Sequence, residues 1–173
     1  EAEIYTRKAI NIMPNYGIAY TNLGSIMLKK GNHKEAEMYT RKAIQINPKC
    51  GISNSNLGGI LLEKGNIDEA ELYTHKCIEL LPEYAVAFYN LGKILRVKNN
   101  YVDAIEAFKK AIELKKDYLD AQTELIWCEA SVCDWSNQKY NYFFRNNNKD
   151  EALNPWSLMT FEDDPNVHFK RAL

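Results

Sequence analysis

The chain has 173 residues, 26% of them charged and 46% hydrophobic, and a net charge of −1. These values fit one water-soluble body; they exclude the basic excess of a nucleic-acid binder, and no apolar run of about 18 residues is present to span a membrane. No signal-peptide pattern opens the chain, so a cytoplasmic protein is expected, with neither nucleic acid nor membrane among its partners.

The first ten residues, Glu1-Ala2-Glu3-Ile4-Tyr5-Thr6-Arg7-Lys8-Ala9-Ile10, return almost unchanged as Glu35-Ala36-Glu37-Met38-Tyr39-Thr40-Arg41-Lys42-Ala43-Ile44. The offset is 34 residues. Asn22-Leu23-Gly24, Asn56-Leu57-Gly58 and Asn90-Leu91-Gly92 keep the same spacing, as do Pro14, Pro48 and Pro82, and Ala36, Ala70 and Ala104. The chain therefore divides into a half unit at 1–16, full units at 17–50, 51–84 and 85–118, and a remainder at 119–173. The half unit matches a second helix whose first helix is missing, so the chain is expected to be a piece of a longer array. Its apolar residues Ile4, Ala9, Ile10 and Ile12 form a face on which a second copy could pack, giving a homodimer.

Each full unit opens with helical periodicity, as in Ala19, Leu23, Ile26 and Met27, and breaks at Gly31, Gly65 or Asn99, residue types that tolerate the left-handed conformation ending a helix. Asn32, Asn66 or Asn100 follows as an N-cap, with Glu35, Glu69 or Asp103 three residues later. The second helix of the first unit then ends before Pro48, whose ring disfavours helical geometry in Asn47. Both helices should be about 14 residues, roughly 21 Å long. Folding the hairpin about residue 31 sets Gly24 against Ala36, Gly58 against Ala70 and Gly92 against Ala104, with Leu23, Leu57, Leu91, Tyr39, Tyr73 and Phe108 filling the space around each close approach. A 34-residue repeat with this skeleton resembles the tetratricopeptide repeat (TPR). The resemblance implies an all-α fold, a right-handed superhelix of α-α hairpins, with residues 119–173 as a helical cap or linker.

The remainder starts a fourth unit at Leu119 that keeps Leu125 but carries Ile126 in place of glycine and Glu124 in place of asparagine. Trp127, Trp135 and the aromatic residues Tyr140, Tyr142, Phe143 and Phe144 suit a cap over the last apolar face. Short helices are expected from about Asp134 to Arg145 and from about Pro165 to Ala172, on either side of a loop at Asn146-Asn147-Asn148-Lys149-Asp150. Within this stretch, Cys133-Asp134-Trp135, Asn154-Pro155-Trp156-Ser157-Leu158-Met159 and Asp163-Asp164-Pro165, following TPR units, resemble the O-linked N-acetylglucosamine (O-GlcNAc) transferases and their SPINDLY-type relatives. In that family such a stretch joins the superhelix to the glycosyltransferase domain. Trp156 stands where animal members carry a histidine, so no catalytic histidine is carried over.

Cys50, Cys77, Cys128 and Cys133 show no Cys-x-x-Cys spacing, and His33, His75 and His168 are scattered, so reduced structural thiols are expected and neither a metal nor a cofactor. No nucleophile and base pair, phosphate loop or carboxylate cluster is recognisable, and the fragment itself is not read as an enzyme. Candidate binding residues come instead from the repeat. Asn22 lies two residues before Gly24, about 200° around the helix from the hairpin contact, and Asn56 and Asn90 repeat that placement. Carboxamides recurring once per unit can donate to and accept from a peptide main chain. With helices about 8–10 Å apart and a strand rising about 3.3 Å per residue, a rung would meet roughly every third ligand residue. The resembled transferases carry an asparagine ladder of this kind. Lys29, Lys93 and Arg96 line the same stripes against Glu63 and add a weak preference for acidic ligands. Changing the three asparagines together to alanine is expected to leave the melting temperature nearly unmoved while weakening peptide binding. The function expected is an interaction module that takes extended peptide segments into its groove, as the partner-recruiting part of a larger O-GlcNAc-transferase-like protein. The alternative is a stand-alone TPR scaffold or self-assembly module.

Overall fold

The computed structural model describes residues 1–132, in which the elements are eight α-helices: α1 (Ala2–Ile12), α2 (Gly17–Lys29), α3 (His33–Ile46), α4 (Gly51–Glu63), α5 (Ile67–Leu80), α6 (Ala85–Val97), α7 (Tyr101–Leu114) and α8 (Leu119–Ser131). Cys133, Trp135, the aromatic run, the two short helices, the loop at 146–150 and the transferase-like motifs expected from the sequence lie outside the described residues.

The turns inside the hairpins follow from one backbone requirement. Gly31, Gly65 and Asn99 adopt φ of 73°, 81° and 59°, the left-handed region in which a Cβ is strained. The next residue then reaches back, so that the amides of Asn32, Asn66 and Asn100 donate to the carbonyls of Met27, Leu61 and Leu95, each at 2.9 Å, closing a Schellman turn. The same asparagines start the second helices. Asn32 and Asn100 accept side-chain bonds from the amides of Glu35 and Asp103 at 3.3 and 3.4 Å. Asn66 holds the cap position without that bond. The Glu35 and Asp103 carboxylates accept in turn from the side-chain Nδ2 of Asn32 and Asn100, whereas Glu69 is engaged by Arg41 at 2.8 Å and does not steady Asn66 in this way.

Between units, the second helix stops at an extended residue such as Asn47, and the connecting turn is braced by a side chain from the next helix. Asn54 Nδ2 donates to the carbonyls of Pro48 and Cys50 at 3.3 and 2.8 Å, and Gln122 Nε2 donates to the Lys116 carbonyl at 2.8 Å. Tyr20 and Phe88 occupy the equivalent places in alternate units, so aromatic packing and carboxamide bracing alternate along the stack.

Each hairpin closes over its glycine, although the expected glycine-on-alanine contact is only part of the packing. A Cβ built on Gly58 would stand 3.2 Å from the Ala70 carbonyl oxygen but only 2.5 Å from Thr74 Oγ1, and Gly24 meets Ala36 and Thr40 in the same arrangement. At Gly92 the obstacle is the Phe108 ring, at 2.5–2.7 Å. Phe108 shares the register of Thr40 and Thr74, and the tyrosine register of Tyr39 and Tyr73 passes to Ala107. The third hairpin therefore exchanges a small core residue for a large one, and its phenyl ring is completely buried among Ala85, Ala104, Tyr118, Ala121 and Leu125.

A charged seam with the same period runs outside this core. Glu3 pairs with Lys30, Glu37 with Lys64 and Glu71 with Lys98, each joining the second helix of one unit to the end of the first helix of the next. The Lys64 ammonium, opposed by partial burial and aided by Arg41, holds the Glu37 carboxyl below its usual range. At the following junction the equivalent residues are Ile105 and Val132, so the seam ends as an apolar pair of positions.

The hairpins α2/α3, α4/α5 and α6/α7 stack in order, with α1 against α2 and α8 against α7. Across units the first helices also meet directly, α2 with α4, α4 with α6 and α6 with α8, more closely than the second helices do. The row that approaches more closely lies on the inside of the curve. The first helices form the inner wall.

Candidate functional site

The inner wall is built from side chains that recur on α2, α4 and α6. One row is apolar: Ile18 and Ile52 are 56% and 45% exposed, and Val86 packs partly against the core. Four residues further along each helix, on the same face, runs the asparagine row Asn22, Asn56 and Asn90. Next come Ser25, Gly59 and Lys93, then Lys29, Glu63 and Val97 at the helix ends.

The three asparagines differ in what they hold. Asn22 is exposed, with no hydrogen-bond partner among the described residues. Asn56 is half-buried and donates from Nδ2 to Ser25 Oγ on α2 at 2.8 Å. Its carboxamide oxygen and second N–H remain available, since an amide offers two donors and two acceptor sites. Asn90 is 7% exposed and donates to the Ser55 carbonyl on α4 at 3.1 Å, with Ser55 Oγ at 3.4 Å. Removing it would delete a buried hydrogen bond that ties α6 to α4, so the expectation that all three asparagines can be deleted without touching stability does not extend to Asn90.

The basic residues divide in the same way. Lys29 is exposed at the end of α2. The Lys93 ammonium lies 5.4 Å from the ring centre of Tyr89, whose phenol burial pushes well up. Arg96 is not free in the groove. Its guanidinium pairs with Glu124 at 3.0 Å and lies 5.2 Å from the ring centre of Trp127, both on α8. Glu124 stands in the register of the asparagines, so a carboxylate clamped by Arg96 replaces the fourth rung. The charge balance of Lys29, Lys93 and Arg96 against Glu63 alone, expected from the sequence, has to include it.

Other polar groups hold the units together. Thr21 Oγ1 and Ser53 Oγ lie 2.7 Å apart, buried between α2 and α4. Burial pushes the thiols of Cys77 and Cys128 up to about 11, as suits small core residues. Among the described residues no group of three or more metal-ligating side chains occurs, and no helix is long and apolar enough to cross a membrane. On α1, Ile4 and Ile12 are exposed, while Ile10 packs partly into the cluster of Leu23, Met27 and Ala36.

Two family models, each described as a tetratricopeptide repeat, match residues 18–50 and 85–118, the first and third hairpins. The chain is a tetratricopeptide repeat protein. Solved structures share the fold. An O-GlcNAc transferase from Thermobaculum terrenum superposes with a TM-score of 0.64 at 24% identity over 66% of this TPR chain and 22% of the transferase chain. The TPR chain thus spans about a fifth of that protein. PilF of Pseudomonas aeruginosa gives 0.76 at 24% identity, over 91% of this chain and 71% of that one. MamA from Desulfovibrio magneticus RS-1 gives 0.71 at 18% identity, over 85% and 86%. No curated protein matches the sequence. Repeats of this family mediate protein–protein interactions, and the resemblance of this array to the TPR region of the transferases is one of fold.

Proposed function

We propose that the TPR array binds extended peptide segments along its inner wall, reading main chain through asparagine carboxamides and side chains through the adjoining apolar row. The observation that carries this reading is Asn56, which spends one N–H on Ser25 and keeps its carboxamide oxygen and second N–H for a ligand, with Ile52 exposed a helical turn away although inner helices flank it on both sides. A strand laid along the asparagines presents every second side chain to one face, where the isoleucines offer apolar contact. The array acts by binding, as the recruiting part of a larger O-GlcNAc-transferase-like protein; the motifs at Cys133-Asp134-Trp135 and Pro155-Trp156-Ser157-Leu158-Met159 and the shared fold support that parent.

The test uses the dodecapeptide that binds tightest in a random library selected on the wild-type chain. Asn22→Ala together with Asn56→Ala should weaken its binding by about 30-fold or more, the loss of main-chain hydrogen bonds at both positions. The melting temperature should fall by no more than about 4 °C, since only the half-buried bond to Ser25 is lost. Equal affinity for the double variant and the wild type would reject the reading.

A further inference from the structure

Resting on that reading, we infer that the asparagine row stops acting as a ladder at α6. Asn22 and Asn56 meet the ligand, Asn90 is a positioning residue that ties α6 to α4, and Gly59 is what withholds the third rung.

The assignment comes from comparing the two junctions. Asn56 finds Ser25 Oγ on the preceding inner helix, a side-chain acceptor that leaves its carboxamide at the wall surface. The residue that would serve Asn90 in the same way is Gly59, in the register of Ser25, and glycine has no hydroxyl. Asn90 turns inward and donates instead to the Ser55 main-chain carbonyl, four residues further back, and is buried where Asn56 is half-buried. A Cβ on Gly59 would sit 3.6 Å from Nδ2 and 3.9 Å from Oδ1 of Asn90, both ordinary contacts, so a serine fits there and brings an acceptor to the carboxamide. Beyond Asn90, the fourth position is Glu124, closed by Arg96. Capture of a main chain therefore belongs to the α2–α4 end of the wall.

Three single variants of the full chain test this with the same library-selected dodecapeptide. Asn90→Ala should lower the melting temperature by at least about 3 °C, because a buried hydrogen bond between α6 and α4 is lost, and change peptide affinity less than about 3-fold. Asn22→Ala should do the reverse, leaving the melting temperature within about 1 °C and weakening binding about 10-fold. Gly59→Ser should tighten binding about 3-fold or more by turning Asn90 back to the surface. In nuclear magnetic resonance spectra its Asn90 side-chain amide should exchange with water faster than in the wild type. A drop of 10-fold in affinity for Asn90→Ala with an unchanged melting temperature would overturn the assignment of Asn90 as a tie. Unaltered affinity and exchange in Gly59→Ser would overturn the role given to Gly59. A wild-type chain that selects no peptide would end the groove reading and with it both ligand rungs, while the melting temperature of Asn90→Ala would still decide whether that residue is a tie.

Discussion

Phe108→Ala is expected to destabilise the array by about 3–5 kcal/mol, lowering its melting temperature by roughly 6–20 °C. The ring is completely buried, packs over Gly92, and lies 6.0 Å from the ring centre of Tyr89. The residues around it come from α6, α7 and α8, so its removal leaves a cavity that no single side-chain movement fills. Repeat arrays distribute stability between neighbouring units, and the loss should therefore be local first. Hydrogen exchange is expected to rise in α7 and α8 before it rises in α2 and α3. Uniform acceleration along all eight helices, or a loss below about 1 kcal/mol, would show that Phe108 does not anchor that end.

The second large effect concerns the hairpin glycines. Gly58→Ala gains about 0.8–1.0 kcal/mol of helix propensity but sets a methyl group 2.5 Å from Thr74 Oγ1 and 3.2 Å from the Ala70 carbonyl. Thr74 is fully buried and has no open side to yield into, so overpacking of about 1–3 kcal/mol wins. Gly58→Leu should be worse than Gly58→Ala. The decisive comparison is Gly58→Ala combined with Thr74→Ala: removing the hydroxyl that blocks the methyl should make the pair at least about 1 kcal/mol more stable than the sum of the two single changes. Additive losses measured by urea denaturation would mean that Thr74 is not the obstacle.

Most of the helical framework could be read from the chain because its determinants are local. Gly31, Gly65 and Asn99 end helices through their own backbone preference, and the asparagines that follow begin the next ones, so a 34-residue comparison was enough to find both. Packing was less legible where registers had to be kept apart. Phe108 looks like the partner of Tyr39 and Tyr73 in a list of large residues, yet it lies one position on, in the register of Thr40 and Thr74, and only the buried ring over Gly92 shows what that shift does.

The wall itself divides the same way. That Asn22, Asn56 and Asn90 share a row follows from the period. Whether Asn56 or Asn90 is free depends on a residue of the preceding inner helix, Ser25 in one case and Gly59 in the other, and no property of the asparagines reports it. Arg96 reads as a groove cation from the sequence when only Glu63 is set against it. Placed in register, the same glutamate is the fourth member of the asparagine row and neutralises that arginine. The Glu3–Lys30, Glu37–Lys64 and Glu71–Lys98 seam was hidden for a related reason: its partners are 27 residues apart and become neighbours only once the units stack.

The most direct measurement is a nuclear magnetic resonance titration of the isotope-labelled chain with the selected dodecapeptide, following the asparagine side-chain amides and the isoleucine methyl groups. The amides of Asn22 and Asn56 and the methyl groups of Ile18 and Ile52 should shift together and saturate at one peptide per chain. Shifts confined to outer-helix residues such as Met38 and Leu72, with the inner-wall amides unmoved, would contradict the account.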